Sequence, residues 1–141
     1  MKIEQLVIQD FRNYSKQIFN PGSQLNFLIG LNGEGKTNLL ESIYVLGLSK
    51  SYRSDDEDLI RFQTEFAKIK ALVMTKDRKT ELQIVLSEVG KKVLVNGQEI
   101  KRLSDYVGNL NIVLFAPEDL NLVKGSPNGR RYFFDIILGQ I

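Results

Sequence analysis

The chain has 141 residues, 43% hydrophobic and 26% charged, with a formal net charge of +2. That length suits one domain with a real core, and the charge is too small to argue for nucleic acid by itself. The sequence contains no cysteine and no histidine, which excludes a disulfide framework, a thiolate zinc site, histidine acid–base chemistry and a Ser-His-Asp triad.

Glu4 and Asp10 interrupt the N-terminal apolar residues, so the opening segment lacks the continuous apolar stretch of a signal peptide. No apolar run approaches the roughly 20 residues that a membrane helix needs, and the expectation is a cytoplasmic protein. Ile3, Leu6, Val7 and Ile8 predict a first strand, followed by a polar segment from Asp10 to Gln17 and a short strand around Ile18 and Phe19 that ends at the Pro21-Gly22 turn. Leu25 to Ile29 reads as a buried strand running directly into a glycine-rich loop. From Lys36 the spacing becomes helical through Leu39, Leu40, Ile43 and Leu46.

Ser49 to Asp58 reads as a loop. Strand-type segments follow at Phe66 to Met74, Glu81 to Leu86 and Lys92 to Val95, and Asn96-Gly97 predicts a hairpin turn. Leu103, Tyr106 and Val107 suggest a short helix, and Ile112 to Phe115 a further strand closed by Pro117. Ser126-Pro127 has the pattern of an N-cap with proline at the first helical position, opening a helix through Phe133, Phe134, Ile136, Ile137 and Leu138. That helix is strongly apolar and the sequence stops at Ile141 without a cap or polar tail, so the expectation is a fragment of a longer protein.

The segment GLNGEGKTN, Gly30 to Asn38, satisfies the phosphate-loop pattern G-x-x-x-x-G-K-[ST], with a predicted strand before it and a predicted helix after it. Glycines at 30, 33 and 35 allow successive backbone N–H groups to line one concavity that accepts phosphate oxygens, and the helix start adds its positive dipole end. Leu31, Asn32 and Glu34 complete the loop, Lys36 supplies a compact charge to the β- and γ-phosphates, and the Thr37 hydroxyl is a magnesium ligand. The expected cofactors are ATP and Mg²⁺.

The stretch GLNGEGKTNLLESIYVLGL, together with IQDFRNY near the N-terminus, resembles the SMC-like branch of the ABC ATPases. KSYRS (Lys50 to Ser54) and FAPEDLNLVKGSPNGRRYFFD (Phe115 to Asp135) narrow the resemblance to the bacterial recombination mediators of that branch, and it covers essentially the whole chain. The fold so implied is α/β, a P-loop NTPase of ABC/SMC-head type: a mixed sheet around the P-loop helix plus an antiparallel β-subdomain at about 66–100. Residues 1–125 would form the ATP-binding lobe, and 126–141 the start of a truncated helical lobe.

The resemblance further implies a head that binds ATP, dimerises around it and engages DNA near single-strand gaps with a RecR-type mediator protein. Such proteins are weak ATPases at full length. The Walker B carboxylates and the signature loop lie in no part of this sequence, so the fragment is expected to bind nucleotide without turning it over.

Residue by residue, Arg12 matches an arginine that reaches the nucleotide phosphates in similar heads, and otherwise is a surface arginine in a turn. Asn32 and Asn38 match the loop and helix-start asparagines, with local capping the alternative for Asn38. Arg53 falls near an arginine that senses nucleotide or DNA, a few residues out of step, and reads equally as an ordinary loop arginine. Glu118 stands where ABC proteins place the Q-loop glutamine; it either helps hold magnesium or caps the next helix. Arg130 and Arg131 contact DNA or a dimer partner, or form a solvated face. Lys50, Lys91, Lys92, Lys101 and Arg102 add charge whose convergence the sequence does not fix.

Two other readings stand beside this one: another SMC-like ATPase head, or a small P-loop kinase. A kinase needs an arginine-rich lid and a continuous parallel sheet with helical crossovers, whereas the ABC-type head places Glu81 to Val95 in an antiparallel layer.

Overall fold

From Ala67 to Val73, and again from Leu82 to Leu86, apolar residues recur at every second position, and a strand that alternates in this way must bury one face. In the computed structural model, which describes residues 1–76, 78–116 and 127–139, that is the arrangement found. Strands β1 (Lys2–Phe11), β2 (Tyr14–Phe19), β3 (Phe66–Met74), β4 (Lys79–Ser87), β5 (Gly90–Val95) and β6 (Gln98–Glu99) form one six-stranded sheet in the order β2-β1-β3-β4-β5-β6. Every pairing in it is antiparallel. The register sets Ile8 opposite Ile69, Ile69 opposite Ile84 and Ile84 opposite Val93, so one apolar row crosses four strands.

Ala67, Ile69, Ala71 and Val73 of β3 and Leu82, Ile84 and Leu86 of β4 are all buried on that face. Each fully buried aliphatic side chain contributes roughly 1.5–3 kcal/mol. Helix α1 (Lys36–Leu48) covers the face with Leu39, Val45 and Leu46, while the opposite face carries pairs such as Lys70 with Glu81 at 2.7 Å. The short helix α2 (Leu103–Tyr106) is tied to α1 where the buried Tyr106 hydroxyl donates to the Leu46 carbonyl oxygen at 2.5 Å. Helix α3 (Pro127–Leu138) begins at the proline, as its sequence predicts.

Among the described residues the antiparallel elements, the Asn96-Gly97 turn with both residues at positive φ, and the three α-helices follow the sequence expectations. Three details differ. The polar segment 10–17 is a tight hairpin, with Phe11 opposite Tyr14 and Arg12-Asn13 as its turn. The expected strands at 25–29 and 112–115 have no ladder partner among the described residues, so the sheet formed there is antiparallel throughout and not mixed. A strand needs a neighbour for its N–H and C=O groups, and none of the described strands forms a ladder with these two segments. Their alternate side chains are accordingly exposed, Ile29 at 92% and Val113 at 96%.

Candidate functional site

Local backbone geometry builds the glycine-rich loop. Gly33 and Gly35 have φ of +87° and +99°, the left-handed region that side chains disfavour. At Gly35 space is also short: a Cβ there would lie 2.7 Å from the Asn13 amide nitrogen and 3.0 Å from the Tyr14 ring. The Tyr14 hydroxyl donates to the Gly35 carbonyl oxygen at 3.1 Å, so the β1–β2 hairpin buttresses the loop from beneath. Burial pushes the Tyr14 hydroxyl pKa up, keeping it a donor.

Lys36 turns back over the loop and donates to the carbonyl oxygens of Gly30 at 2.8 Å and Leu31 at 2.6 Å. The Glu34 carboxylate accepts the Leu31 N–H at 2.9 Å. Leu31, Asn32 and Thr37 are exposed at the rim, and Asn38 is half-buried. The residues fit a polyphosphate: a cationic head lies across a concave loop at a helix N-terminus, and the donor set is what an anion requires. Thr37 presents a hydroxyl beside that loop, the oxygen donor that a hard cation such as magnesium takes.

A second cluster, which the sequence did not suggest as a unit, adjoins the loop. The Glu41 side chain on α1 is fully buried. Arg12 grips it side-on, Nε to Oε2 at 3.0 Å and Nη2 to Oε1 at 2.9 Å. Arg53 Nη2 reaches Oε2 at 2.7 Å, and the Ser51 hydroxyl donates to Oε1 at 2.7 Å. Burial alone would raise the Glu41 pKa, but the Arg53, Arg12 and Ser51 hydrogen bonds and the Arg12 charge outweigh it and hold the carboxyl down at about 2.

From this hub a chain of polar contacts runs to the loop. Arg53 Nη2 also donates to Asn38 Oδ1 at 2.6 Å, and Asn38 Nδ2 donates to Asn13 Oδ1 at 2.8 Å. Arg12, Asn13, Asn38, Arg53, Ser54 and Asp58 line one open recess on this side of the loop.

The structure therefore brings Arg12, Asn38 and Arg53 together beside the loop. Arg131 is exposed on α3. Arg130 lies in the same helix, and Glu118 falls outside the described residues. Lys91 is paired with Asp56 at 2.6 Å, and so is a structural contact of the 49–56 segment.

Glu41, Asn13 and Tyr14 are the residues that sequence reasoning missed. The available signal was Glu41 itself: an acid inside the apolar run NLLESIYVL, with Asn38, Tyr44, Thr37 and Val45 at helical spacing and no cation among them.

The family model described as RecF/RecN/SMC N terminal domain matches residues 2–121. The chain belongs to that family. Among curated relatives of this RecF/RecN/SMC chain, the DNA replication and repair protein RecF of Staphylococcus carnosus is 52% identical over 142 residues, covering 100% of the chain and 38% of the relative. RecF of Latilactobacillus sakei is 50% identical, again over 100% of the chain and 38% of the relative. The chain thus spans well under half the length of the RecF proteins it matches.

The solved structure of the recombination mediator protein RecF with ATP in the RecFOR pathway superposes with a TM-score of 0.94 at 31% identity, covering 99% of the chain and 39% of that protein. The SMC head domain from Thermotoga maritima shares the fold at a TM-score of 0.58 and 20% identity, over 74% of the chain and 40% of that protein. Family and fold both agree with the ABC/SMC-head expectation, and the antiparallel layer at 81–95 removes the support for a kinase.

Proposed function

We propose that this chain is the ATP-binding part of a RecF-like DNA repair and recombination protein that binds DNA at single-strand gaps as an ATP-dependent dimer. The observation that carries the reading is the loop of Gly30 to Thr37, with Lys36 lying across its mouth, in a chain that superposes closely on RecF solved with ATP. In this reading the loop's backbone N–H groups, that of Leu31 once the Glu34 carboxylate releases it, and the Lys36 ammonium hold the β- and γ-phosphates, and Asn38 orients the start of α1. Thr37 holds Mg²⁺, with Glu118 as a second oxygen donor. When bound, the magnesium nucleotide supplies charge that a second head can clamp.

The DNA or dimer contacts assigned to Arg53, Arg130 and Arg131 belong to the whole protein, as does the partnership with a RecR-type mediator. The exposure of Arg131 supports its part in that assignment. Arg53 reaches DNA only through the recess, because it is already engaged with Glu41 and Asn38.

Turnover is not expected from these 141 residues alone. Glu41 stands near the loop, yet it is buried and both of its oxygens already accept hydrogen bonds from Arg12, Arg53 and Ser51, so neither is open to take a proton from an attacking water.

The experiment measures binding of the full-length protein to gapped duplex DNA with and without Mg-ATP, over a salt series. The expected result is tighter binding with Mg-ATP and a steep, sequence-independent salt dependence. Identical affinity with and without nucleotide would sink the ATP-dependent clamp.

A further inference from the structure

A carboxylate that is completely buried persists only where cationic or hydrogen-bonding partners offset its lost hydration. Glu41 has such partners, and they come from two separate places: Arg12 at the hairpin turn, and Ser51 and Arg53 on the segment after α1. Arg12 reaches its position in a left-handed backbone conformation, φ 53°, which a bulky residue adopts only when its surroundings impose it. The clamp is visible on either side, where the Arg12 N–H donates to Leu59 O at 2.9 Å and the Arg61 N–H donates to Asp10 O at 2.8 Å.

Arg12 and Arg53 each keep part of their side chains open to solvent, at 20% and 32%, while the Glu41 side chain is at 0%. The two cationic heads therefore face the recess over a hidden anion, with Asn38 and Asn13 between them and Gly35.

We propose that Glu41 is a positioning residue for the nucleotide: it fixes Arg12 and Arg53 beside the phosphate loop, so that their charge is held in place next to the phosphates. The proposal rests on the reading of Gly30 to Thr37 as a nucleotide site. Glu41 does not touch the ligand and acts wholly through the two arginines. Preorganised guanidinium groups recognise anions better than mobile ones because little rotamer freedom is lost on binding.

The test is a set of titrations of a fluorescent ATP analogue with Mg²⁺ into the full-length protein, with a thermal melt of each variant alongside. Glu41→Gln is expected to weaken binding about fivefold or more, and about as much as Arg12→Ala. In an Arg12→Ala/Arg53→Ala background, adding Glu41→Gln is expected to change affinity by less than about twofold, since a residue that acts through others has nothing left to act through. Where Glu41→Gln fails to fold, Glu41→Asp keeps the charge but withdraws it by one methylene, and the same pattern is expected.

Wild-type affinity in a folded Glu41 variant, or a full additive loss in the Arg12→Ala/Arg53→Ala background, would overturn the proposal and leave Glu41 a purely structural group. Lys36→Ala separates the two levels. If it leaves affinity unchanged, the nucleotide site itself is wrong. If it weakens binding while Glu41→Gln does not, only the positioning role is wrong.

Discussion

Burying the Glu41 carboxylate favours its neutral form, and the two arginines with Ser51 reverse that preference, lowering the pKa from 4.5 to about 2. A carboxyl whose pKa is depressed by folding adds stability above its unfolded value and loses it as pH falls. The contribution is therefore complete above about pH 5 and drains away between about pH 4.5 and 2, and a shift of this size corresponds to about 3 kcal/mol. Glu41→Gln is expected to flatten that acid limb and to lower stability by about 3 kcal/mol at pH 7, because the arginines lose their buried counter-charge. Urea unfolding at pH 7 and at pH 3 checks both statements: the variant is clearly weaker at pH 7, with a narrower gap at pH 3. Equal stability of the two proteins at pH 7 contradicts them.

Residues of the phosphate loop were legible in the sequence because glycine, lysine and threonine at fixed spacing have a direct chemical meaning. The Glu41 hub was not, since its partners Arg12 and Arg53 stand far away in sequence and only the folded chain brings them to one carboxylate.

At the scale of elements, the loop and the hairpin beneath it are one device. Gly33 and Gly35 share a positive φ, but a Cβ at Gly33 meets nothing within 4 Å, while one at Gly35 collides with Asn13 and Tyr14. Gly33→Ala is thus expected to cost about 1 kcal/mol of backbone strain alone. Gly35→Ala adds a steric clash of typically 1–3 kcal/mol and shifts the β1–β2 turn. Chemical denaturation of the two variants ranks them, and equal destabilisation would show that the hairpin yields.

Strands β3 and β4 and the Asn96-Gly97 turn could be read in advance because alternation and turn chemistry are local signals. The Arg12-Asn13 turn could not, since the left-handed residue is Arg12, which is no turn former, and its conformation is held by contacts with the 59–61 segment. For 25–29 and 112–115 the apolar pattern predicted strands that the described residues do not form, because a ladder depends on a neighbour that a local run of residues does not name.

For the whole molecule, the sheet is covered on one face by α1, but several large apolar side chains stay exposed on the unladdered segments, among them Leu25, Phe27, Ile29, Val113 and Phe115. Scattered apolar residues are ordinary on a surface, whereas alternating rows of them mark surfaces that bind protein. The 141-residue chain is accordingly expected to self-associate with rising concentration in sedimentation velocity. Replacing Phe27 and Phe115 together by serine is expected to reduce that tendency. A monomer at every concentration would mean that these rows bind nothing by themselves. No helix among the described residues is long and apolar enough to cross a membrane, so the rows are not part of a helical span.

The central claim is that Gly30 to Thr37 holds the phosphates of ATP, and calorimetric titration of Mg-ATP into wild-type and Lys36→Ala full-length protein tests it most directly. Losing a charge-assisted contact of this kind costs about 1.5–3 kcal/mol, so the variant is predicted to bind roughly 10- to 100-fold more weakly, with its melting temperature in the absence of nucleotide nearly unchanged. Equal affinity of the two proteins for Mg-ATP, with both folded, would contradict the account.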